Sequence, residues 1–341
     1  MEQSKAKQYN VAIVGATGAV GAQLLKVLAE RRFPVGNLVL LASARSEGKT
    51  IEWQGQTYTV HEARPEAFEG VDIVLFAGGS ISKTLAPEAV KRGAVCIDNS
   101  STFRYDPEVP LVVPEVNPED VRWHKGIIAN PNCSTIQMVV ALKPIYDNFG
   151  LKRVVVATYQ AVSGAGKEGL DELETQIQDV AAGRKPQPAT FQHQIACNLI
   201  PHIDIFLDND YTKEEMKMTW ETQKMLHDEN IKLSATAVRV PVFRSHAEAI
   251  HIETEKPVTA AEARRILADA PGIVIQDDPG KNLYPMPLYT SDTDEVYVGR
   301  IRKDISVENG LSMFVVADQI RKGAATNAVQ IAQLLVQENL V

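Results

Sequence analysis

From Val11 onward, short apolar runs alternate with longer amphipathic segments. VAIVG, NLVLLAS, VDIVLFAGG and AVCIDNS are separated by stretches such as AVGAQLLKVLAERR and APEAVKRGA, in which apolar residues recur at helical spacing. Continuous apolar strands alternating with helices predict βαβ units and a mainly parallel sheet covered by helices. After GIIAN the segment STIQMVVALKPIYDNF predicts a further helix, and then the pattern changes. LKRVVVATYQAVSG opens a new set of strands, and LSATAVRVPVF, AEAIHIETE, EVYVGRIRKD and LSMFVVADQI show the alternation of half-buried strands, with AAEARRILADA a helix among them. A mixed or antiparallel sheet with helices on one face is expected there. The last segment, IRKGAATNAVQIAQLLVQENL, carries Ala, Val, Ile and Leu at helical spacing and is expected to return and cover the first domain. The stretch 183–230, rich in Pro, Asp and His, shows no clear pattern until TKEEMKMTWETQKML resumes helical periodicity.

Composition narrows the class. A chain of 341 residues exceeds one ordinary core and suits two packed domains. With 45% hydrophobic residues and a net charge of -8, a sizeable core is expected and a nucleic-acid partner is not. Cys96, Cys133 and Cys197 are odd in number and lack CxxC spacing, which argues against a disulfide framework and a zinc site and for a reducing compartment. The opening MEQSKAKQYN lacks a signal peptide's apolar stretch, and no run approaches the ~20 apolar residues of a membrane span. A cytoplasmic protein with no membrane partner and no metal is expected.

VAIVGATGAVGAQLL places Gly15, Gly18 and Gly21 after a predicted strand and at the opening of a predicted helix. Glycines there let the backbone turn tightly and approach a pyrophosphate, whose charge meets the helix's free N–H groups. Gly15, Thr17, Gly18, Ala19 and Val20 are the expected contacts, although a tight turn in any α/β protein has the same look. The second strand ends in SARSEGK, where an Asp or Glu would usually accept hydrogen bonds from a ribose 2′-hydroxyl. Ser43, Arg45 and Ser46 stand there instead, suited to a 2′-phosphate, so NADP is expected rather than NAD. The competing reading makes Arg45 a solvated loop charge.

NPNCST sets Cys133 after an apolar strand and at a helix start, where unpaired N–H groups stabilise a thiolate and can donate to a developing oxyanion. Buried structural cysteines are equally common, so position alone leaves both readings level. Cys96, inside AVCID, and Cys197, in HQIACNLIPH, lack that context and are expected to be structural.

GATGAVG, DNSSTFR, VPEVN, NPNCST, TYQAVSGAG, EEMK, RVPVFRSH and RKGAA follow one another from near Val11 to the C-terminus. In these motifs, and in their order, the chain resembles the aspartate-semialdehyde dehydrogenase family. The resemblance implies an α/β fold: an N-terminal Rossmann-type dinucleotide-binding domain, residues 1–132 with a C-terminal helix at 320–341, plus an α+β catalytic and dimerisation domain with a mixed sheet at 133–319. It implies a homodimer whose small-molecule substrate is L-aspartyl 4-phosphate, reduced with NADPH to L-aspartate 4-semialdehyde in lysine, methionine and threonine biosynthesis. Cys133 would form a thioester, and His246, with a pKa near neutrality, would shuttle the proton. Gln160 would position the substrate. Arg104 and Lys217 would bind the phosphate, Arg239 the α-carboxylate and Glu214 the α-ammonium. Ser163 and Gly164 would admit the nicotinamide, with Gln319 a further cofactor contact and Asn132 beside the helix amides an oxyanion donor.

Without the resemblance, KEEMK looks like an ordinary solvated helix face, whereas Arg239 interrupts an apolar strand pattern and needs solvent or a charged partner. His61, His124, His193, His202, His227 and His251 sit in no comparable motif. N-acetyl-glutamyl-phosphate reductase shares the same logic but would have no free ammonium to meet. A non-catalytic NADP sensor and a Cys-His hydrolase are the readings from other classes.

Overall fold

The computed structural model describes residues 7–341, which form two compact units, 7–131 with 324–341 and Asn132–Gly323. In the first, strands β1 (Tyr9–Val14), β2 (Val35–Ala42), β3 (Thr50–Trp53), β4 (Gln56–Glu62), β5 (Ile73–Phe76), β6 (Val95–Asp98) and β7 (Ile127–Ala129) join in the order β3-β4-β2-β1-β5-β6-β7. Every neighbouring pair is parallel except the hairpin β3–β4. Helices α1 (Ala19–Glu30) and α2 (Ser82–Lys91) link strands, and α8 (Thr326–Gln337) joins from the far end of the chain. Successive strand residues face opposite ways. Val11 and Ile13 therefore pack with Leu24, Leu28, Ala328, Ile331 and Leu335 of α1 and α8, while Ala12 and Val14 pack with Leu85 and Ala89 of α2. That two-sided burial is why these strands read as unbroken apolar runs.

The second unit holds α3 (Cys133–Phe149), β8 (Arg153–Gln160), α4 (Lys167–Ala181), α5 (Lys213–Leu226), β9 (Lys232–Arg239), β10 (His246–Glu253), α6 (Ala260–Ala268), β11 (Ile273–Ile275), α7 (Pro287–Thr290), β12 (Val296–Lys303) and β13 (Gly310–Ala317). Its sheet runs β11-β12-β13-β10-β8-β9 and is mixed: β12-β13-β10-β8 are antiparallel, whereas β11 and β9 add parallel edges. Along β8, Val154, Val156, Thr158 and Gln160 are buried and the intervening residues are more exposed. Helices α3, α5 and α6 pack on this sheet. In the poorly patterned stretch, Thr212 caps α5 through a capping box with Glu215.

Residues 320–323, expected with the first domain, group instead with the second unit. The reason is local: the N–H groups of Ile320 and Arg321 donate to Asp318 Oδ1, and that of Gly323 to the Asp318 carbonyl, tying the segment to the end of β13. Asn132 likewise belongs to the second unit, because its side chain caps α3.

Candidate active site

In the first unit, Gly15 has φ +89°, which favours glycine, and a Cβ on Gly21 would stand 2.3 Å from the Gly15 carbonyl oxygen. Gly18 is the N-cap of α1, and among the described residues no side chain caps that helix, so its opening N–H groups suit an anionic ligand. Ala19 and Val20 begin the helix. Thr17 Oγ1 lies 3.4 Å from Ser46 Oγ, bringing the glycine loop beside the turn that follows β2. Ser43 and Arg45 are exposed on that turn, and Ser46 is buried. The nearest following acid, Glu47, accepts from the Glu62 N–H and lies 3.1 Å from His61 Nδ1. A cavity of about 550 Å³ opens beside the loop, lined by residues including Thr17, Lys26, Lys49 and Trp53. Arg104 also belongs to this unit, its guanidinium fixed by the carbonyls of Asn130 (2.9 Å) and Asn99 (2.8 Å). The loop and turn thus present backbone N–H groups, hydroxyls and a cation, a donor set that fits a dinucleotide phosphate.

The second unit gathers the other candidates. Cys133 is the first residue of α3 and is partly exposed. Asn132 Oδ1 accepts from the N–H groups of Ser134 (3.0 Å) and Thr135 (3.2 Å), its main-chain N–H donates to Glu221 Oε2 (2.6 Å), and its Nδ2 donates to Glu214 Oε1 (2.9 Å). Its side chain, expected among the oxyanion donors, spends its oxygen on the helix and one amide hydrogen on Glu214. Opposite the cysteine stands Gly323, where a Cβ would come 2.8 Å from Cys133 Cβ.

Glu214 is the hub of this network. Besides Asn132, it accepts from Gln160 Nε2 (3.2 Å) at Oε1 and from Lys217 Nζ (2.8 Å) at Oε2. Burial acts to raise its carboxyl, but Lys217, Asn132 and Gln160 hold it down at about 2. Lys217 is only 12% exposed and is clasped by Asp204 as well (2.7 Å). Burial opposes its charge, yet the two carboxylates keep the ammonium above its ordinary value. The EEMK segment is therefore no solvated helix face. Arg239, the last residue of β9, is buried, donates from Nη1 to the Ala161 carbonyl (2.8 Å) and lies over the Phe191 ring. Burial lowers its pKa, opposed by the charges of Glu214 and Cys133.

His246 opens β10 and is fully buried. Its Nδ1 accepts from the Ala161 N–H (3.0 Å), so in the neutral ring the proton sits on Nε2, and Nε2 has no partner among the described residues. Burial, with Arg239 nearby, pushes the imidazole down to about 3. In this arrangement His246 presents a neutral Nε2–H, since an imidazolium would turn a second N–H against that of Ala161. Gly164 permits the approach: a Cβ there would stand 2.7 Å from Arg239 Nη1 and 3.2 Å from His246 Cε1. Gln319 follows the end of β13, donates to Ser163 Oγ and accepts from the Ser245 N–H (2.9 Å), fixing the residue before His246. Ser245 itself has φ +71°.

Sequence reasoning passed over Glu221, Asp204 and Gly323. Gly323 lies within the quoted RKGAA motif, so a signal was present, whereas Glu221 and Asp204 sit in unremarkable polar stretches. Cys96 is buried as expected, but Cys197 is exposed, at a turn with φ +59°, and fills no core. Among the described residues, no group of three or more His, Cys, Asp or Glu could hold a metal ion, and no helix is long and apolar enough to cross a membrane.

A glycine-loop unit joined to a unit built around a cysteine, a histidine and an arginine is the construction of an oxidoreductase that uses a nicotinamide dinucleotide. Residues 10–124 match the family model for the semialdehyde dehydrogenase NAD binding domain, and residues 142–322 that for the semialdehyde dehydrogenase dimerisation domain. The chain belongs to the aspartate-semialdehyde dehydrogenase family. It is 62% identical to the enzyme of that name from Aquifex aeolicus, over 98% of this chain and 99% of the relative. The crystal structure of aspartate semialdehyde dehydrogenase II from Vibrio cholerae, complexed with ASA, is similar at 53% identity and a TM-score of 0.95, covering 97% of this chain and 99% of that one. The Candida albicans enzyme, with NADP, is 26% identical with a TM-score of 0.77, covering 98% of this chain and all of that one (100%).

Proposed function

We propose that this chain reduces L-aspartyl 4-phosphate with NADPH to L-aspartate 4-semialdehyde, releasing phosphate, and works as a cytoplasmic homodimer in lysine, methionine and threonine biosynthesis. The observation that carries this reading is the joint placement of Cys133, Arg239, Glu214 and the Nε2–H of His246 in one unit. Arg239 meets the α-carboxylate as a planar fork. Glu214, ionised at about 2 and near enough to Arg239 to act on its charge, meets the α-ammonium, which an N-acetylated substrate would lack. Arg104 and the third N–H of Lys217 serve the phosphate, while Gln160 positions the substrate from the Glu214 hub.

The start of α3 and the charge of Arg239 favour a thiolate at Cys133. Its sulfur attacks the acyl carbon, an S–C bond forms, and the C–O bond to phosphate breaks with its electron pair leaving on phosphate. His246 Nε2–H and the first amides of α3 stabilise the oxyanion in this step. The nicotinamide cofactor, when bound, supplies the hydride that reduces the thioester carbonyl. The resulting oxyanion is held by the same donors, then re-forms C=O as the C–S bond breaks and the thiolate recovers its pair. Neither collapse requires His246 to lose or gain a proton.

For the cofactor, Thr17, Ser43, Arg45 and Ser46 would hold a 2′-phosphate, and Glu47, the acid closest in sequence, is engaged by Glu62 and His61. Ser163, Gly164 and Gln319 are proposed to shape the nicotinamide end. The test is the reverse assay with L-aspartate semialdehyde, phosphate and either NADP or NAD. NADPH formation, much slower NADH formation and no turnover of the N-acetyl-glutamyl analogue support the reading. Turnover of only the acetylated substrate overturns it.

A further inference from the structure

Gln137 lies one helical turn after Cys133, on the same face of α3. Its Nε2 donates to the main-chain carbonyl of His246 (3.3 Å), so a single side chain links the helix of the cysteine to the strand of the histidine. Two residues along β10 from His246, and therefore on the same side of the sheet, stands Glu248, opposite Thr158 of β8 and Val315 of β13. Gln137 and Glu248 are both fully buried.

The accounting of donors and acceptors here does not close for a carboxylate. Glu248 Oε1, Glu248 Oε2 and Gln137 Oε1 are all buried and none makes a full hydrogen bond among the described residues, and the Gln137 side chain is the one polar group that acts on the carboxyl. Burying an ionised carboxylate without a cation costs several kcal/mol or more. Of the charged and titratable groups of the site, His246, Cys133, Arg239 and Glu214, none acts appreciably on the Glu248 carboxyl. Burial pushes its carboxyl well up, with Gln137 the one opposing contact. A single proton resolves the mismatch, because a carboxylic acid is a donor.

We propose that Glu248, as a neutral acid, donates to Gln137 Oε1 and is a positioning residue that holds Gln137 in the orientation that fixes the His246 main chain relative to Cys133. Glu248 touches no substrate; it acts through Gln137. The proposal rests on the roles given above to Cys133 and His246.

Three measurements test it. Infrared spectra of the wild-type protein at neutral pH should contain the C=O stretch of a protonated carboxyl that is absent from Glu248→Gln, a result independent of turnover. Glu248→Gln keeps an N–H donor at the same place and should retain kcat within about twofold, while Glu248→Leu, with folding checked by circular dichroism, should lower kcat about 10- to 100-fold with KM within about threefold. Gln137→Leu should match Glu248→Leu, and the double variant should be no worse than either. Absence of the acid band overturns the proposal, as does Glu248→Gln being as impaired as Glu248→Leu, or additive losses in the double variant. If instead Cys133→Ala retains turnover, it is the thioester reading that fails, while the acid band still decides the protonation of Glu248.

Discussion

The two units solve recognition by opposite means. In the first, the site is made from what side chains leave out: Gly15, Gly18 and Gly21 expose backbone, and the side chains that matter, Thr17, Ser43 and Arg45, are exposed. In the second, it is made from side chains that water barely reaches, with Glu214 holding Asn132, Gln160 and Lys217 at once. The first can exchange an exposed contact at modest cost. The second cannot lose one member without leaving a buried charge or donor unpaired.

The largest contrast should come from Cys133→Ala, which is expected to cut turnover by about 10,000-fold or more while NADPH affinity is unchanged in equilibrium titration. Equal loss of cofactor binding would break the separation between the units. Acid comes next. Glu214 ionises at about 2 rather than 4.5, so its stabilising effect is complete above about 4.5 and is lost as pH falls towards 2. At ~1.4 kcal/mol per unit that difference is on the order of 3 kcal/mol. His246, lowered from 6.5 to about 3, works in the same direction over a higher window, since below 6.5 the unfolded chain takes the proton first. Denaturant titrations should show stability falling from about pH 6.5 downward, with the upper part of the fall missing in His246→Asn.

Gly164→Ala would set a methyl 2.7 Å from Arg239 Nη1 and is expected to lower kcat about 100-fold without altering cofactor affinity. The smallest effect belongs to the exposed side of the comparison. Arg45→Ala should raise KM for NADPH about tenfold and leave KM for NADH nearly unchanged. A shift in both would assign Arg45 to the loop's shape rather than to a phosphate.

Legibility followed the same divide. The βαβ rhythm and the mixed second sheet could be read because strand and helix periods differ, and the glycine loop because its residues have a stereochemical reason to be there. The hairpin β3–β4 gave no such signal, since TIEW and QTYTVHE mix polar and apolar residues without a long run. KEEMK has the composition of a surface helix; its burial arises from Asp204, Asn132 and Gln160 converging on it from elsewhere in the chain. Glu248 was legible in principle. Ile250 and Ile252 set the inward phase of β10, and counting back by two brings Glu248 and His246 inside. The histidine's tautomer was not, because it depends on one N–H of Ala161, far away in sequence.

Helix α8 carries a consequence for how the chain is made. Ala328, Ile331 and Leu335 share a core with Val11 and Leu24, so that face of the sheet that begins at residue 9 is not fully covered until residue 337 has left the ribosome. The whole of Asn132–Gly323 is synthesised in between. The unit that starts first therefore finishes last, and a chain released early would carry an open cofactor domain beside a catalytic unit already complete in sequence.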